Sequence, residues 1–243
     1  MALDFFEGEV LSFDKPYGWS SFAVVNKVRL CICKKLKVKK LKVGHAGTLD
    51  PLATGVLIIC TGKATKRIEE MQYKTKEYIA TIRLGATTPS FDLEHPIDAT
   101  YPTEHINIEM VKEALEHFIG TIEQIPPQFS ACKINGRRAY KSARKGNEVE
   151  LKPKTLVIDN IELLKYEMPD ITVKVVCSKG TYIRALARDL GIALNSGAHL
   201  IGLRRTSVGD VRVEECLDVN NFDEWLSTQS LVIEEEIDNQ QNK

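Results

Sequence analysis

Two short stretches of this 243-residue chain concentrate the residue types that chemistry needs. The first, Gly44-His45-Ala46-Gly47-Thr48-Leu49-Asp50-Pro51-Leu52-Ala53-Thr54-Gly55-Val56-Leu57, sets three glycines and a proline around a single carboxylate. Such a loop turns tightly and runs straight into an apolar strand pattern, so Asp50 would be presented from a rigid mount. Pro51 keeps the residue before it out of the α region, which gives Asp50 an extended backbone. The same spacing also fits an ordinary Gly-Pro turn whose aspartate only bonds its neighbours. The second stretch runs from Cys177 to Gly191 and places Thr181 where it could cap a helix, with Arg184 in that helix's first turn. The macrodipole disfavours a cation there, so Arg184 wants a carboxylate partner. Standing alone, it would read as a surface arginine.

Other chemistries fail on residue types. Gly62-Lys63-Ala64-Thr65 resembles the tail of a phosphate-binding P-loop, but position 57, where the first glycine would stand, is leucine, and no G-x-G-x-x-G occurs. A glycosidase needs two facing carboxylates, and Asp50 is the only acid between Asp14 and Glu69, although folding could bring a second. Cys31-x-Cys33 stands without a matching pair, and His45, His95, His105, His117 and His199 are scattered, so no metal site is expected. The six cysteines lie in apolar or basic runs and read as reduced thiols.

The elements that must hold these stretches alternate between apolar runs and amphipathic segments. Residues 9–13 read as a strand, followed by a Pro16-Tyr17-Gly18 turn and a helix capped by Ser20 or Ser21 with Phe22, Val25 and Val28 on its apolar face. Strands are expected at 55–61 and 77–84, and helices at 63–72 and 106–118, the latter with Met110, Val111, Leu115 and Phe118 at helical spacing and Gly120 as its stop. Residues 133–154 hold 8 bases and 2 acids around a short helix at 138–145. Strands at 155–164 and 171–177 flank a Met168-Pro169-Asp170 turn. The helix at 182–194 would turn Ile183, Leu186, Ala187 and Leu190 inward and leave Arg184 and Arg188 on its other side. Closing strands at 200–207 and 210–213 and a short acidic helix at 220–226 complete the reading. Successive strands without intervening helices predict an α+β fold, with a mixed, mainly antiparallel sheet and flanking helices. Residues 1–213 are expected to form one catalytic domain with 133–154 as a protruding basic lobe, and 214–243 a short acidic extension.

The chain carries 33 basic and 33 acidic side chains. Nine of the acids and a single base fall in residues 214–243, which leaves residues 1–213 with 32 bases and 24 acids, a net charge of +8. A basic body fits a polyanionic partner, and fits a plain solvated surface almost as well. The apolar run 55–60 is far short of the ~20 residues that cross a bilayer, and the first nine residues carry acids where a signal peptide needs bases, so a cytoplasmic protein is expected.

These two stretches, together with Asp14-Lys15-Pro16-Tyr17-Gly18-Trp19-Ser20-Ser21, Lys76-Glu77-Tyr78, Arg83-Leu84-Gly85, Gln124-Ile125-Pro126-Pro127 and Leu203-Arg204-Arg205, resemble the TruB-type family of bacterial tRNA pseudouridine-55 synthases over about residues 10–213. The resemblance implies the pseudouridine synthase fold and isomerisation of a uridine in the T loop of tRNA. It makes Asp50 the catalytic aspartate, Tyr78 the aromatic that stacks on the flipped uracil and can serve as base, and Arg184 the cation paired with Asp50. Tyr182 and Leu203 would line the base pocket, and Lys15, His45 and Lys63 would meet the RNA. The basic segment 133–154 resembles the family's RNA-gripping insertion, and the lysine run 34–40 adds a second basic patch; both would supply affinity through phosphate without specificity. The reaction needs no cofactor. A monomer with no obligatory protein partner and no membrane contact is expected. Many members carry a further C-terminal RNA-binding domain of PUA type, and here only an acidic segment of about thirty residues follows Val213. An RNA-binding protein that remodels tRNA without chemistry is the competing reading.

Overall fold

The computed structural model describes residues 2–130, 133–134, 137–138 and 150–233. Apart from Arg138, the expected helix at 138–145 lies outside these residues, as does most of the basic segment 133–154. The chain divides into two compact units, residues 1–74 with 205–243 and residues 75–204.

In the first unit, β1 (Val10–Lys15) runs antiparallel to β3 (Ala53–Thr61), and β2 (Val43–Ala46) pairs with the far half of β3, His45 facing Ile59. Between β1 and β2 lies α1 (Ser21–Leu36). Ser20 caps it by accepting the Ala23 N–H, and Lys37 ends it in the left-handed region. The buried stripe is Val24, Val25, Val28, Cys31, Ile32 and Leu36, whereas Phe22, expected on that stripe, is 68% exposed. Val24 takes its place because the stripe packs with Phe13, Leu57 and Ile59 on the sheet and with Phe5 in the turn before β1. The expected helix at 63–72 is a 3-10 turn (Gly62–Arg67) followed by the short α2 (Ile68–Gln72).

The acidic segment after residue 213 packs into this unit. Strand β14 (Leu217–Asp218) lies parallel to β1, and the helix Phe222–Ser227 delivers Phe222 against Phe13, ring centroids 5.1 Å apart. Val219, Phe222 and Leu226 are fully or almost fully buried there.

The second unit is built on antiparallel pairings. Strand β4 (Lys76–Leu84) pairs with β11 (Asp170–Cys177), β11 with β10 (Lys154–Glu167), and β10 with β7 (Gly120–Gln124). Small ribbons join β5 (Ala86–Thr87) to β6 (Ala99–Thr100) and β8 (Lys133–Ile134) to β9 (Arg137–Arg138). Helix α3 (Ile108–Glu116), capped by Asn107, and helix α4 (Ile183–Ala193) complete the unit. Strand β12 (Ala198–Val208) carries the chain from the second unit back to the first and pairs with β13 (Val211–Arg212). Antiparallel pairing dominates, and the α+β class follows.

Candidate active site

In the first unit, the turn from β2 to β3 carries Asp50, which is half-buried. Its glycines answer to definite constraints. Gly47 and Gly55 have φ of +94° and +105°, and a Cβ at Gly55 would stand 2.1 Å from the carbonyl oxygen of Arg205. Only glycine tolerates both the positive φ and that approach.

The backbone on both sides of Asp50 is held by buried polar side chains. The Ser21 hydroxyl accepts the Leu49 N–H at 2.8 Å and donates to the Leu49 carbonyl at 2.9 Å. Arg205, 1% exposed, donates from Nε to the Val56 carbonyl at 2.7 Å and from a terminal nitrogen to the Gly47 carbonyl at 3.2 Å, joining the two limbs of the loop. The Gly18 N–H donates to the Pro51 carbonyl, and the Ala53 N–H to that of Asp50.

Lys15, expected at the RNA surface, is fully buried. Its ammonium donates to the carbonyls of Pro16, Trp19 and Pro51 at 3.0, 2.6 and 3.3 Å. Loss of water pushes it down to about 8, and the charge of Arg205 adds to the fall while Asp50 and Asp14 oppose it. Its placement is that of a brace beneath the Asp50 loop, because β1 ends there and turns its side chain inward. Of the other expected RNA contacts, His45 is half-buried on β2, and Lys63 is 66% exposed and ion-paired with Glu7.

The second unit carries the remaining expected residues. Tyr78 lies on β4 opposite Val175 and is 8% exposed. Tyr182 precedes α4, and the Gln124 amide grips its backbone from both sides, accepting its N–H at 2.9 Å and donating to its carbonyl at 3.2 Å. Thr181 does not cap the helix; its hydroxyl donates back to the Ser178 carbonyl, and Tyr182 occupies the cap position without capping the helix through its side chain. Leu203 is half-buried on β12.

Arg184 is 3% exposed, not a member of a solvent-facing side. Its terminal nitrogens donate to the carbonyls of Ser90 and Phe129 at 3.0 and 2.9 Å, and its Nε stands 3.6 Å from an oxygen of Asp92. Asp92 is buried too, and its other oxygen accepts the Glu94 N–H. A buried cation requires such compensation. The cation's need for a carboxylate was legible in its first-turn position; that Asp92 stands beside it was not, because 92 positions separate the two residues along the chain. Arg188 reaches the Ile125 carbonyl and lies over the Phe91 ring at 4.9 Å. Among the described residues no group of three His, Cys, Asp or Glu side chains could hold a metal, and no helix is long and apolar enough to cross a membrane.

The family described as "TruB family pseudouridylate synthase (N terminal domain)" matches residues 34–183, and that described as "tRNA pseudouridylate synthase B C-terminal domain" matches residues 184–239. The chain is 73% identical over 229 residues to the tRNA pseudouridine synthase B of Phocaeicola vulgatus, covering 94% of this chain and 97% of that protein. It is 69% identical over 231 residues to the protein of the same name from Bacteroides fragilis, covering 95% and 99%. Among solved structures, it resembles a chain of a Cbf5-Nop10-Gar1 complex with a TM-score of 0.67 at 28% identity, covering 91% of this chain and 55% of that one. A chain of an H/ACA RNP bound to a substrate RNA containing 2'-deoxyuridine gives a TM-score of 0.64 at 27% identity, covering 91% and 54%. The protein thus spans about half the length of those two solved chains.

Proposed function

The chain belongs to the TruB family of pseudouridylate synthases, and from that premise we propose that it isomerises uridine to pseudouridine at position 55 in the T loop of tRNA, with Asp50 acting on the ribose. The observation that carries the reading is a half-buried carboxylate on a loop whose backbone is bonded on both sides, by Ser21 and Arg205 before it and by Lys15 and Arg205 after it.

The reaction breaks the C1'–N1 bond, turns the uracil in place and joins C5 to C1'; C5 gives up a proton and N1 takes one. Nothing is oxidised and nothing is added, so no cofactor is needed. The target uridine sits in a structured loop and must be extruded into the site, at a cost of a few kcal/mol that stacking on Tyr78 would offset by roughly 1 to 3 kcal/mol. Tyr182 and Leu203 wall the base. Asp50 attacks C1' or removes the 2' proton, and Arg184 provides the cation for an enclosed anionic site, since an opposite charge favours the ionised form of a carboxylate. His45 and Lys63, the lysine run 34–40 and the basic segment 133–154 meet the RNA, largely through phosphate. The enzyme works as a monomer in the cytoplasm on the T stem-loop.

Asp50→Asn keeps the shape of the side chain and removes its charge. It should abolish pseudouridine formation, mapped by carbodiimide-based primer extension on unmodified tRNA, while tRNA binding stays within about tenfold, or ~1.4 kcal/mol. A variant that keeps more than a few per cent of the single-turnover rate would show that Asp50 is not the catalytic group.

A further inference from the structure

The first turn of α1 holds two successive serines with separate tasks. Ser20 caps the helix through the Ala23 N–H, so Ser21 is not needed there and turns inward, 3% exposed. Its hydroxyl spends both a lone pair and its proton on one residue, Leu49, accepting the N–H and donating to the carbonyl. That carbonyl belongs to the peptide that joins Leu49 to Asp50. On the other side Pro51 restricts the backbone of Asp50 to extended values, and the Asp50 carbonyl, which belongs to the Asp50–Pro51 peptide, accepts the Ala53 N–H at 3.1 Å.

We propose that Ser21 is a positioning residue for the reaction: through its two bonds to Leu49 it fixes the plane of the Leu49–Asp50 peptide, and so the direction in which the Asp50 carboxylate is presented to the ribose. The proposal rests on the reading of Asp50 as the catalytic group. With the peptide planes before and after Asp50 fixed, the carboxylate keeps only its own side-chain rotations. A hydroxyl bonded to both polar groups of a neighbouring residue has no counterpart in alanine, which would leave a buried N–H and a buried carbonyl without this partner. The peptide would then tilt to recover a bond, and the carboxylate would move with it. A displacement of ~1 Å at a reacting group can cost on the order of a hundredfold in rate.

The test measures single-turnover rate at saturating enzyme and, separately, affinity for a T stem-loop RNA, in Ser21→Ala, Ser21→Thr and Asp50→Asn. Ser21→Ala should lose about tenfold or more in rate with affinity within about twofold, and Ser21→Thr, which keeps the hydroxyl, should recover most of the loss. A wild-type rate in Ser21→Ala overturns the proposal, as does a fall in rate matched by an equal fall in affinity, since a merely structural serine would weaken both together. Should Ser21→Ala fail to fold, Ser21→Cys carries the same expectation, its thiol being close in size and a weak donor. The two failures separate cleanly: an active Asp50→Asn removes the reading of Asp50, whereas an inactive Asp50→Asn beside a fully active Ser21→Ala removes the positioning role alone.

Discussion

The Nε of Arg184 and a carboxylate oxygen of Asp92 stand 3.6 Å apart with both side chains nearly sealed from solvent. Removing one member of a buried pair leaves the other charge uncompensated, at a cost of ~3 to 5 kcal/mol in well-buried cases. Asp92→Ala and Arg184→Met should each destabilise the protein substantially, and the double variant should lose clearly less than the two together. Denaturant unfolding of the three variants checks this. A coupling below about 0.5 kcal/mol would mean that Asp92 is not what holds Arg184.

Lys15 ties stability to pH. Its ordinary value is 10.5 and its folded value about 8, so between these limits the unfolded chain binds the extra proton and stability rises with pH. Below about 8 the ammonium is charged in both states and the burial cost stands in full. The stability difference between the wild type and Lys15→Met should therefore shift toward the wild type as pH rises from about 7.5 to about 10. A difference that stays constant across this range would contradict the depressed value.

Gly55 and Gly18 separate strain from collision. Both have positive φ, +105° and +81°, but a Cβ at Gly18 would meet nothing within 4 Å, whereas at Gly55 it would strike the Arg205 carbonyl. Gly18→Ala should cost about 1 to 2 kcal/mol, the penalty of the left-handed backbone alone. Gly55→Ala should cost well above about 3 kcal/mol, because Arg205 cannot retreat without releasing Gly47 and Val56. Equal midpoints in a denaturant titration would argue against the close packing of Arg205 on the loop.

An RNA grip confined to the T arm has a salt signature. Each phosphate neutralised adds about 0.7 to 0.9 to the magnitude of the slope of log affinity against log salt. An isolated T stem-loop and whole tRNA should then show similar slopes and similar kcat/KM. A preference for whole tRNA of about a hundredfold with a steeper slope would reveal contacts beyond the T arm.

Much of this protein was legible in order along the chain. The Asp50 loop reads as a tight turn because its glycines and proline act locally, and Gly47 and Gly55 do adopt positive φ. The inward set Ile183, Leu186, Ala187 and Leu190 was set by helical period, and all four are buried. The strand expected at 77–84 is β4, Lys76–Leu84, and its residues are buried alternately.

What the local pattern could not decide is what covers the remaining faces. Period tells which residues share a side of a helix, not whether a second element closes over the other side; Ser90, Asp92 and Phe129 do so for Arg184, which its own segment taken alone would have left on the surface. Phe22 and Val24 are both apolar and within two residues of each other, and only the position of the sheet chose Val24 for the core. Lys15 is expected at the RNA surface, yet it is fully buried where the carbonyls of Pro16, Trp19 and Pro51 receive its ammonium. The acidic end of the chain reads as an extension by charge, while Phe222 and Leu226 bind it to the first unit's core. Composition and period belong to neighbours in sequence; burial and partnership depend on residues far apart in sequence, and those the tertiary structure alone brings together.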